Sequence, residues 1–315
     1  MNETRRAILE TLSEGPVGGP ALAESLDVSR AAVWKQIDEL RDAGFEIESG
    51  SDGYVLNAIT EYNAAAVEYG LEAPFSVEYH DAIGNTNDRA RELATDGVTD
   101  VAVLADEQTG GRGRLERTWS APSGGVWTSL VCRPDISPMR APLYTLAAAV
   151  ATTRAAREAG VDARIKWPND VVVPSDDESL DRPYRKLAGI LTEMEGETDR
   201  VAWVVVGIGV NANIDASSLP PEATSIRAEA DDVDRRVFVQ RLLEEFDAQR
   251  NSLEEVADAW RDHALTIGTR VRVDRTNEAI VGTAVDITET GSLVVETDDG
   301  EQIVSAGDCE HLRRV

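Results

Sequence analysis

The residues of this chain best suited to chemistry lie in two short segments, GGRGRLERTW at 110–119 and KWPND at 166–170. The first sets three arginines into a glycine-rich loop, in a protein whose formal net charge is −27. Guanidinium groups offer planar, bidentate donors matched to carboxylate and phosphate. Interleaved glycines let the backbone turn sharply and lie close to a ligand. This is the composition of a loop that closes over an anion. A solvated surface turn rich in Gly and Arg has the same composition, and the loop alone leaves both readings open.

Lysine is scarce. Of 31 basic residues only Lys35, Lys166 and Lys186 are lysine, so each is a local choice in a chain that otherwise uses arginine. Lys166 lies in RIKWPNDVVV, where flanking apolar residues place its ammonium at a strand end. Chance retention is the competing account for so small a set.

Composition narrows the function classes. A chain of 315 residues has room for two or three domains with a sizeable core. Its 42% hydrophobic content is that of a folded, soluble protein, and no apolar run approaches the ~18–20 residues of a membrane span. The N-terminal MNETRRAILE lacks the apolar core of a signal peptide. Cys132 and Cys309 are isolated, and His80, His263 and His311 are scattered, which supports neither a disulfide framework nor a zinc site. The expectation is a cytoplasmic protein that does not enter membranes. Fifty-eight acids are spread along the chain, as in proteins of salt-accumulating organisms. At molar salt the Debye length falls to about 3 Å, and a hydrated acidic surface keeps such a protein soluble. Binding of basic partners is the rival explanation; the even spread of the acids favours adaptation.

The elements that must position these residues are legible in outline. Apolar spacing at Ala7, Ile8 and Leu12 predicts a helix over 2–14. A second helix (21–26), a turn at Asp27 and Val28, a third helix capped by Ser29 and a hairpin turning at 50–53 follow. Val33, Ile37 and Leu40 form the buried face of the third helix, leaving Ser29, Arg30, Trp34 and Lys35 at its free N-terminal half. This arrangement resembles a winged helix-turn-helix, whose second helix enters a DNA major groove; a small packing domain has the same outline. Residues 1–60 carry eleven acids against five bases, the opposite of the usual basic DNA footprint. Residues 57–74 read as a connector. Strands are expected at SVEYH, VAVLADE, GVWTSLVCR, around Ile165, at 171–173, 188–192 and 201–208, with helices at NTNDRARELATDG and 142–160. The acidic loop PSDDESLDRP reads as a solvated insertion, and 234–260 as one amphipathic helix. From Gly268 the chain alternates through GTRVRV, EAIVGTAVDI, GSLVVET and EQIVSA, the pattern of a small β-barrel. The expected class is α+β: a central mixed-sheet domain (61–266) between a winged helix-turn-helix (1–60) and a small SH3-like β-barrel (267–315).

GIGVNA at 207–212 fits a dinucleotide fingerprint formally, but the two prolines of the following NIDASSLPPEATS leave no helix to complete it. No Walker loop and no GxSxG elbow occur. What does occur, in one order over about 130 residues, is GNTNDRARELA, DEQTGGRGRLERTWSAPSGGVWTSL, KWPNDV, RKLAGILTE and VGIGVNAN. Together these motifs closely resemble biotin protein ligase. With the N- and C-terminal modules they resemble its bifunctional class, which also represses transcription.

The resemblance implies activation of biotin by ATP to biotinyl-5′-adenylate, release of pyrophosphate, and transfer to a lysine of a carboxylase's biotin carboxyl-carrier domain. It implies operator DNA as a second partner and a homodimer. Lys166, Arg112 and Arg114 would be the catalytic cations, neutralising two anions as they meet. Asn85, Thr86, Asn87, Gln108, Gly113 and Gly189 would surround biotin together with those cations. Trp119 and Asn211 would join Arg112, Arg114 and Lys166 around the adenylate, and Asp170 would contact Mg2+ brought with ATP. Lys186 would at most orient the loop, and Trp167 would wall the pocket or fill core. Two positions depart from the family pattern: Asn85 where serine is common, and Glu116 where the arginine loop usually has glycine. Ligase with repressor, ligase alone and a non-catalytic ligand-sensing regulator all remain open here, as does a lipoate ligase of the same fold; GRGR with KWPND favours biotin.

Overall fold

A computed structural model describes residues 1–275 and 279–312. It divides into two compact units, Met1–Glu72 and Ala73–Val315.

The first unit holds α1 (Glu3–Ser13), α2 (Gly19–Ser25), α3 (Arg30–Asp42), β1 (Phe45–Gly50), β2 (Gly53–Ile59) and α4 (Ala64–Glu68). Ser29 ends the turn after α2 and caps α3, its Oγ accepting from Ala32 N at 3.1 Å. Ile8, Leu9, Leu12, Leu22, Val33, Ile37, Leu40 and Phe45 make one core. β1 and β2 pair antiparallel as the wing. The expected connector is largely structured: its first residues finish β2, and Asn63 caps α4, accepting from Ala66 N at 3.0 Å. Tyr69 then packs edge-on against Phe45. A run of alanines with few large apolar side chains had hidden that helix.

The second unit is built on β3 (Ser76–Ile83), α5 (Thr86–Thr95), β4 (Val101–Gln108), β5 (Val126–Cys132), α6 (Pro142–Glu158), β6 (Arg164–Lys166), β7 (Asp170–Pro174), β8 (Tyr184–Gly196) and β9 (Val201–Val210). The strands form a seven-stranded sheet in the order β3-β4-β5-β9-β8-β7-β6. Only β3 and β4 run parallel, as the α5 crossover between them requires. Helices α7 (Ile226–Glu229), α8 (Arg235–Arg250) and α9 (Val256–His263) follow. α6 is buried nearly all round because the sheet lies on one side and α8 and α9 on the other, which its alanine-rich sequence permits. The stretch read as one helix is two, broken over Asn251 to Glu255; apolar spacing from Phe246 through Leu253 to Trp260 carries across the break and conceals it.

The chain ends in β10 (Arg270–Asp274), β11 (Ala279–Ile287), β12 (Leu293–Thr297), β13 (Gly300–Val304) and β14 (Asp308–His311). These form an antiparallel sheet ordered β13-β12-β11-β10-β14. The sequence had indicated four of the five. β14 is short and mostly polar, and it pairs with β10 far back in sequence. His311 at its end is buried, and Thr266 Oγ1 lies 3.0 Å from its Nε2.

Burial, aided by nearby Lys166, pushes the His311 imidazole down to about 4 from its ordinary 6.5. The unfolded chain therefore binds a proton that the folded one refuses between those values, and stability falls as pH drops through that window. The loss is at most about 3 kcal/mol from this group. Thermal denaturation from pH 7.5 to 4 should show a steeper decline for the native chain than for His311→Gln; parallel curves would contradict the buried neutral imidazole.

Candidate active site

A cavity of about 350 Å3 opens over the middle of the seven-stranded sheet. Its floor depends on missing side chains. Gly189 of β8 and Gly209 of β9 are cross-strand partners, and the Trp119 indole lies directly over them. A Cβ at Gly209 would stand 3.0 Å from Trp119 Nε1, and one at Gly189 would stand 3.3 Å from its ring. Two residues before Gly209, Gly207 leaves room for Asn87; a Cβ there would overlap Asn87 Oδ1.

The polar end of the cavity is a closed network. Asn87 Nδ2 donates to Glu193 Oε2 at 2.8 Å, and Asn87 Oδ1 accepts from Ser129 Oγ at 2.6 Å. Ser129 Oγ lies 2.7 Å from Thr86 Oγ1, and Gln108 Oε1 accepts from Thr86 N at 2.7 Å. Asn85 caps α5 by accepting from Asn87 N at 2.8 Å and donates to the Gly110 carbonyl at 2.9 Å. Its amide thereby ties the start of the arginine loop to the helix. A serine hydroxyl could cap the helix equally well, but it is too short to span both partners.

The loop is held by polar tethers. Arg112 pairs with Asp88, which Arg91 also engages. Arg114 donates to Asn169 Oδ1 at 3.0 Å and to the Gly307 carbonyl at 2.9 Å. Arg117 reaches Asp308 at 2.6 Å. Leu115 sits at φ 55° with its side chain exposed, at the cavity's rim. The Glu116 side chain lies outside those the structure describes.

The two lysines sit differently about the cavity. Lys166 does not line the cavity; it is 4% exposed and points to Asp170 Oδ2 at 3.3 Å, behind the wall. Lys186 does line it, with Nζ 2.6 Å from Asp170 Oδ1 and 5.0 Å from the Trp119 ring centre. Burial works against the Lys166 ammonium, yet the adjoining carboxylate holds its pKa above the ordinary value. Burial likewise opposes ionisation of Asp170, and the two ammoniums outweigh it and keep the carboxyl below its usual range. The physical reason for the difference is register: Lys166 pairs with Asp170 across the β6–β7 hairpin, while Lys186 sits on the neighbouring strand beside the glycine floor.

Asp170 is correspondingly a poor metal ligand, because each oxygen already faces an ammonium. Among the described residues no cluster of acids, histidines or cysteines could hold an ion. Asn211 lines the cavity and donates to the Thr224 carbonyl at 2.9 Å, pinning the loop whose Leu219, Pro220, Glu222 and Ala223 form one side. Gly113 also lines it. Trp167 is core: its indole donates to the Gly291 carbonyl at 2.9 Å and is fully enclosed. In the N-terminal unit, Arg30, Trp34 and Lys35 are exposed on α3, Trp34 by 58%. The sequence motifs contain Asn169, Arg117, Gly207 and Gly209 without giving any of them a role of its own, and nothing in them points to the 219–223 loop.

Residues 85–211 match the Biotin/lipoate A/B protein ligase family, 266–312 the Biotin protein ligase C terminal domain and 4–55 an HTH domain. The chain is 35% identical to the Bifunctional ligase/repressor BirA of Bacillus subtilis (strain 168), over 97% of this chain and 98% of that one. It is 33% identical to the Biotin--[acetyl-CoA-carboxylase] ligase of Mycobacterium tuberculosis, over 73% of this chain and 86% of the other. In fold it resembles a biotin protein ligase from Aquifex aeolicus solved with biotin and ATP, with a TM-score of 0.62 at 24% identity over 76% of this chain and 99% of that one. The chain belongs to the biotin protein ligase family, with a helix-turn-helix domain at its N-terminus.

The Gly207–Asn87 contact is testable. Gly207→Ala should displace the Asn87 amide and cost about 1–3 kcal/mol for the orphaned buried polar groups. The double variant Asn87→Ala/Gly207→Ala should be no less stable than Asn87→Ala alone. Additive losses in that cycle would mean that the two positions do not meet.

Proposed function

We propose that this chain is a bifunctional biotin ligase and repressor. It condenses biotin with ATP, passes the biotinyl group from biotinyl-5′-AMP to a lysine of a carboxylase's carrier domain, and represses transcription through its N-terminal unit. The observation that carries the ligase reading is the convergence of Lys186, Arg112 and Arg114 around a glycine-floored cavity with a hydrogen-bonding polar end. Biotin is mostly apolar with a polar ureido head, and it fits a slot with the Thr86, Asn87 and Gln108 network at one end. Its carboxylate would then lie toward Lys186.

In the first step a carboxylate oxygen attacks the α-phosphorus of ATP and the bond to the β-phosphate bridge breaks, so that pyrophosphate leaves. Two anions must meet inside a polyanionic chain. Lys186 is the cation placed to lower that barrier; Lys166 and Asp170 hold it in position. Arg112 and Arg114 supply further donors from the loop. Magnesium belongs to the nucleotide substrate in this reading, not to a protein-built site. We assign the segments 1–60, 61–266 and 267–315 to DNA binding, ligation and the C-terminal module.

Loss of one donor of this kind costs on the order of 2.7–4 kcal/mol of transition-state stabilisation. Single-turnover release of pyrophosphate from MgATP and biotin should therefore fall by a factor of about 10²–10³ in Lys186→Met. Lys166→Met should be milder and should shift the pH dependence of the step, because Asp170 loses one of its two counter-ions. Lipoate or octanoate in place of biotin should give no release. A wild-type chain silent with biotin would sink the ligase reading.

Repression rests on α3 with Ser29, Arg30, Trp34 and Lys35 at its free end, and on a homodimer that presents two such helices to half-sites. Ser29 would act there through its cap, fixing where the helix begins. The same unit is acidic, which we attribute to adaptation to high intracellular salt in a cytoplasmic protein. Few phosphates can be neutralised by so few cations, so log affinity for operator DNA should fall only shallowly with log KCl. Fluorescence anisotropy on the promoter of its biotin genes, with and without biotin and ATP, measures this. A steep salt dependence would refute the adaptation argument, and no ligand-dependent binding at any salt would favour a ligase without repression.

A further inference from the structure

Glu193 ends the RKLAGILTE motif on β8 and does not line the ligand cavity. Its Oε2 accepts from Asn87 Nδ2 at 2.8 Å, and its Oε1 lies 3.6 Å from Arg91 Nη1. The Leu191 carbonyl, 3.3 Å away, is a second acceptor for the same Nδ2. These contacts set the direction of each proton at the polar end of the cavity. A carboxylate and a carbonyl only accept, so the Asn87 amide turns Nδ2 to them and Oδ1 to Ser129. An amide oxygen also only accepts, so Ser129 Oγ donates its one proton to Asn87 Oδ1, at 2.6 Å. Ser129 is fully buried and has no second proton, so its 2.7 Å contact with Thr86 Oγ1 is donated by Thr86. The Thr86 proton is thereby spent as well. Thr86 Oγ1 then faces Gln108 Oε1 at 3.1 Å with no proton between them. Gln108 Oε1 is fixed in that place by Thr86 N, which donates to it at 2.7 Å. Thr86 and Gln108 both line the cavity. Two acceptor oxygens therefore converge on it, with Gln108 Nε2 as the donor beside them, and such a pair calls for a donor to complete it.

Resting on the ligase reading above, we propose that Glu193 is a positioning residue that fixes the hydrogen-bond polarity of this end of the cavity, so that it takes a head group with an N–H beside a carbonyl, as a cyclic urea has. The urea N–H donates to Thr86 Oγ1 and Gln108 Oε1, and the urea carbonyl accepts from Gln108 Nε2. Glu193 acts at a distance of three hydrogen bonds and touches no ligand itself. Without an acceptor at position 193, the longer bond to Leu191 alone orients the Asn87 amide, and the amide can turn. In the reversed chain Asn87 Nδ2 donates to Ser129, Ser129 donates to Thr86, and the Thr86 proton closes onto Gln108 Oε1. That proton fills the place the urea N–H needs.

The test separates head-group recognition from a general loss of structure. Full-length protein is assayed for pyrophosphate release from MgATP against biotin concentration, and biotin binding is measured by calorimetry. Glu193→Met removes the acceptor at similar length, whereas Glu193→Gln keeps one. The KM and Kd for biotin should rise about tenfold in Glu193→Met, the worth of one hydrogen bond to the ligand, and stay within about threefold of wild type in Glu193→Gln. In both variants kcat and the KM for ATP should be unchanged. Desthiobiotin, which keeps the urea and lacks the thioether ring, should give the same ratios. Ser129→Ala breaks the chain from its other end: it should raise the KM for biotin by a similar factor, and Glu193→Met should add little in that background. A wild-type KM for biotin in Glu193→Met, equal losses in the Met and Gln variants, or an equal loss in kcat or in the KM for ATP would each overturn the proposal. Should Glu193→Met fail to fold, Ser129→Ala decides, because a wild-type KM there overturns the chain as well. A wild type that binds biotin without releasing pyrophosphate sinks the ligase reading alone, and the calorimetric ratios then decide the role of Glu193.

Discussion

One carboxylate organises the charged wall of the cavity. Asp170 lies between two of the chain's three lysines, with Lys186 at 2.6 Å on the cavity side and Lys166 at 3.3 Å behind. Removing charged groups from water is costly, and a lone buried ammonium would shed its proton. The shared carboxylate prevents that for Lys166, while the pair of cations keeps the carboxylate ionised. The cluster as a whole is cationic, so the cavity wall retains net positive charge within a polyanionic protein.

The second constraint is steric. Strands β8 and β9 bring Gly189 and Gly209 face to face, and Trp119 rests on the bare backbone that results. The same indole lies 5.0 Å from Lys186 Nζ, so the glycine floor also sets where the cation sits. Gly207, two residues before Gly209, accommodates Asn87 on the same face of β9, since alternate strand residues share a side. Three glycines on two strands thus place an aromatic ring, an amide and an ammonium around one space. Any Cβ there would have to move a neighbour whose partners are already fixed.

Much of this was legible in the sequence, and the exceptions have physical causes. The winged helix-turn-helix, the mixed sheet and the glycine-arginine loop follow from caps, periodicity and turn residues close in sequence. Lys166 was favoured over Lys186 because KWPND is the more conspicuous motif. Which of the two faces the cavity depends on strand register, which composition does not reveal. β14 was missed because its pairing with β10 joins segments more than thirty residues apart. Yet β14 and the residues just before it hold the loop that the sequence singled out, through the Gly307 carbonyl and Asp308. The site is therefore completed by the part of the chain with the weakest local signal.

The loop's tethers also explain how so acidic a chain can bind anionic ligands. Its arginines are already paired or hydrogen-bonded, to Asp88, to Asn169 and the Gly307 carbonyl, and to Asp308. A phosphate arriving at Arg112 thus exchanges one ion pair for another, and does not gain a free cation. Exposed pairs of this kind are worth about 0–1 kcal/mol, so the exchange costs little. It does leave the displaced Asp88 carboxylate in need of a counter-ion, and Arg91, which already touches it, supplies one. Asp88, which holds the loop in the free chain, thereby keeps a partner when a ligand takes Arg112. An acidic surface and an arginine loop are compatible at Asp88 because its pairing with Arg91 does not depend on Arg112.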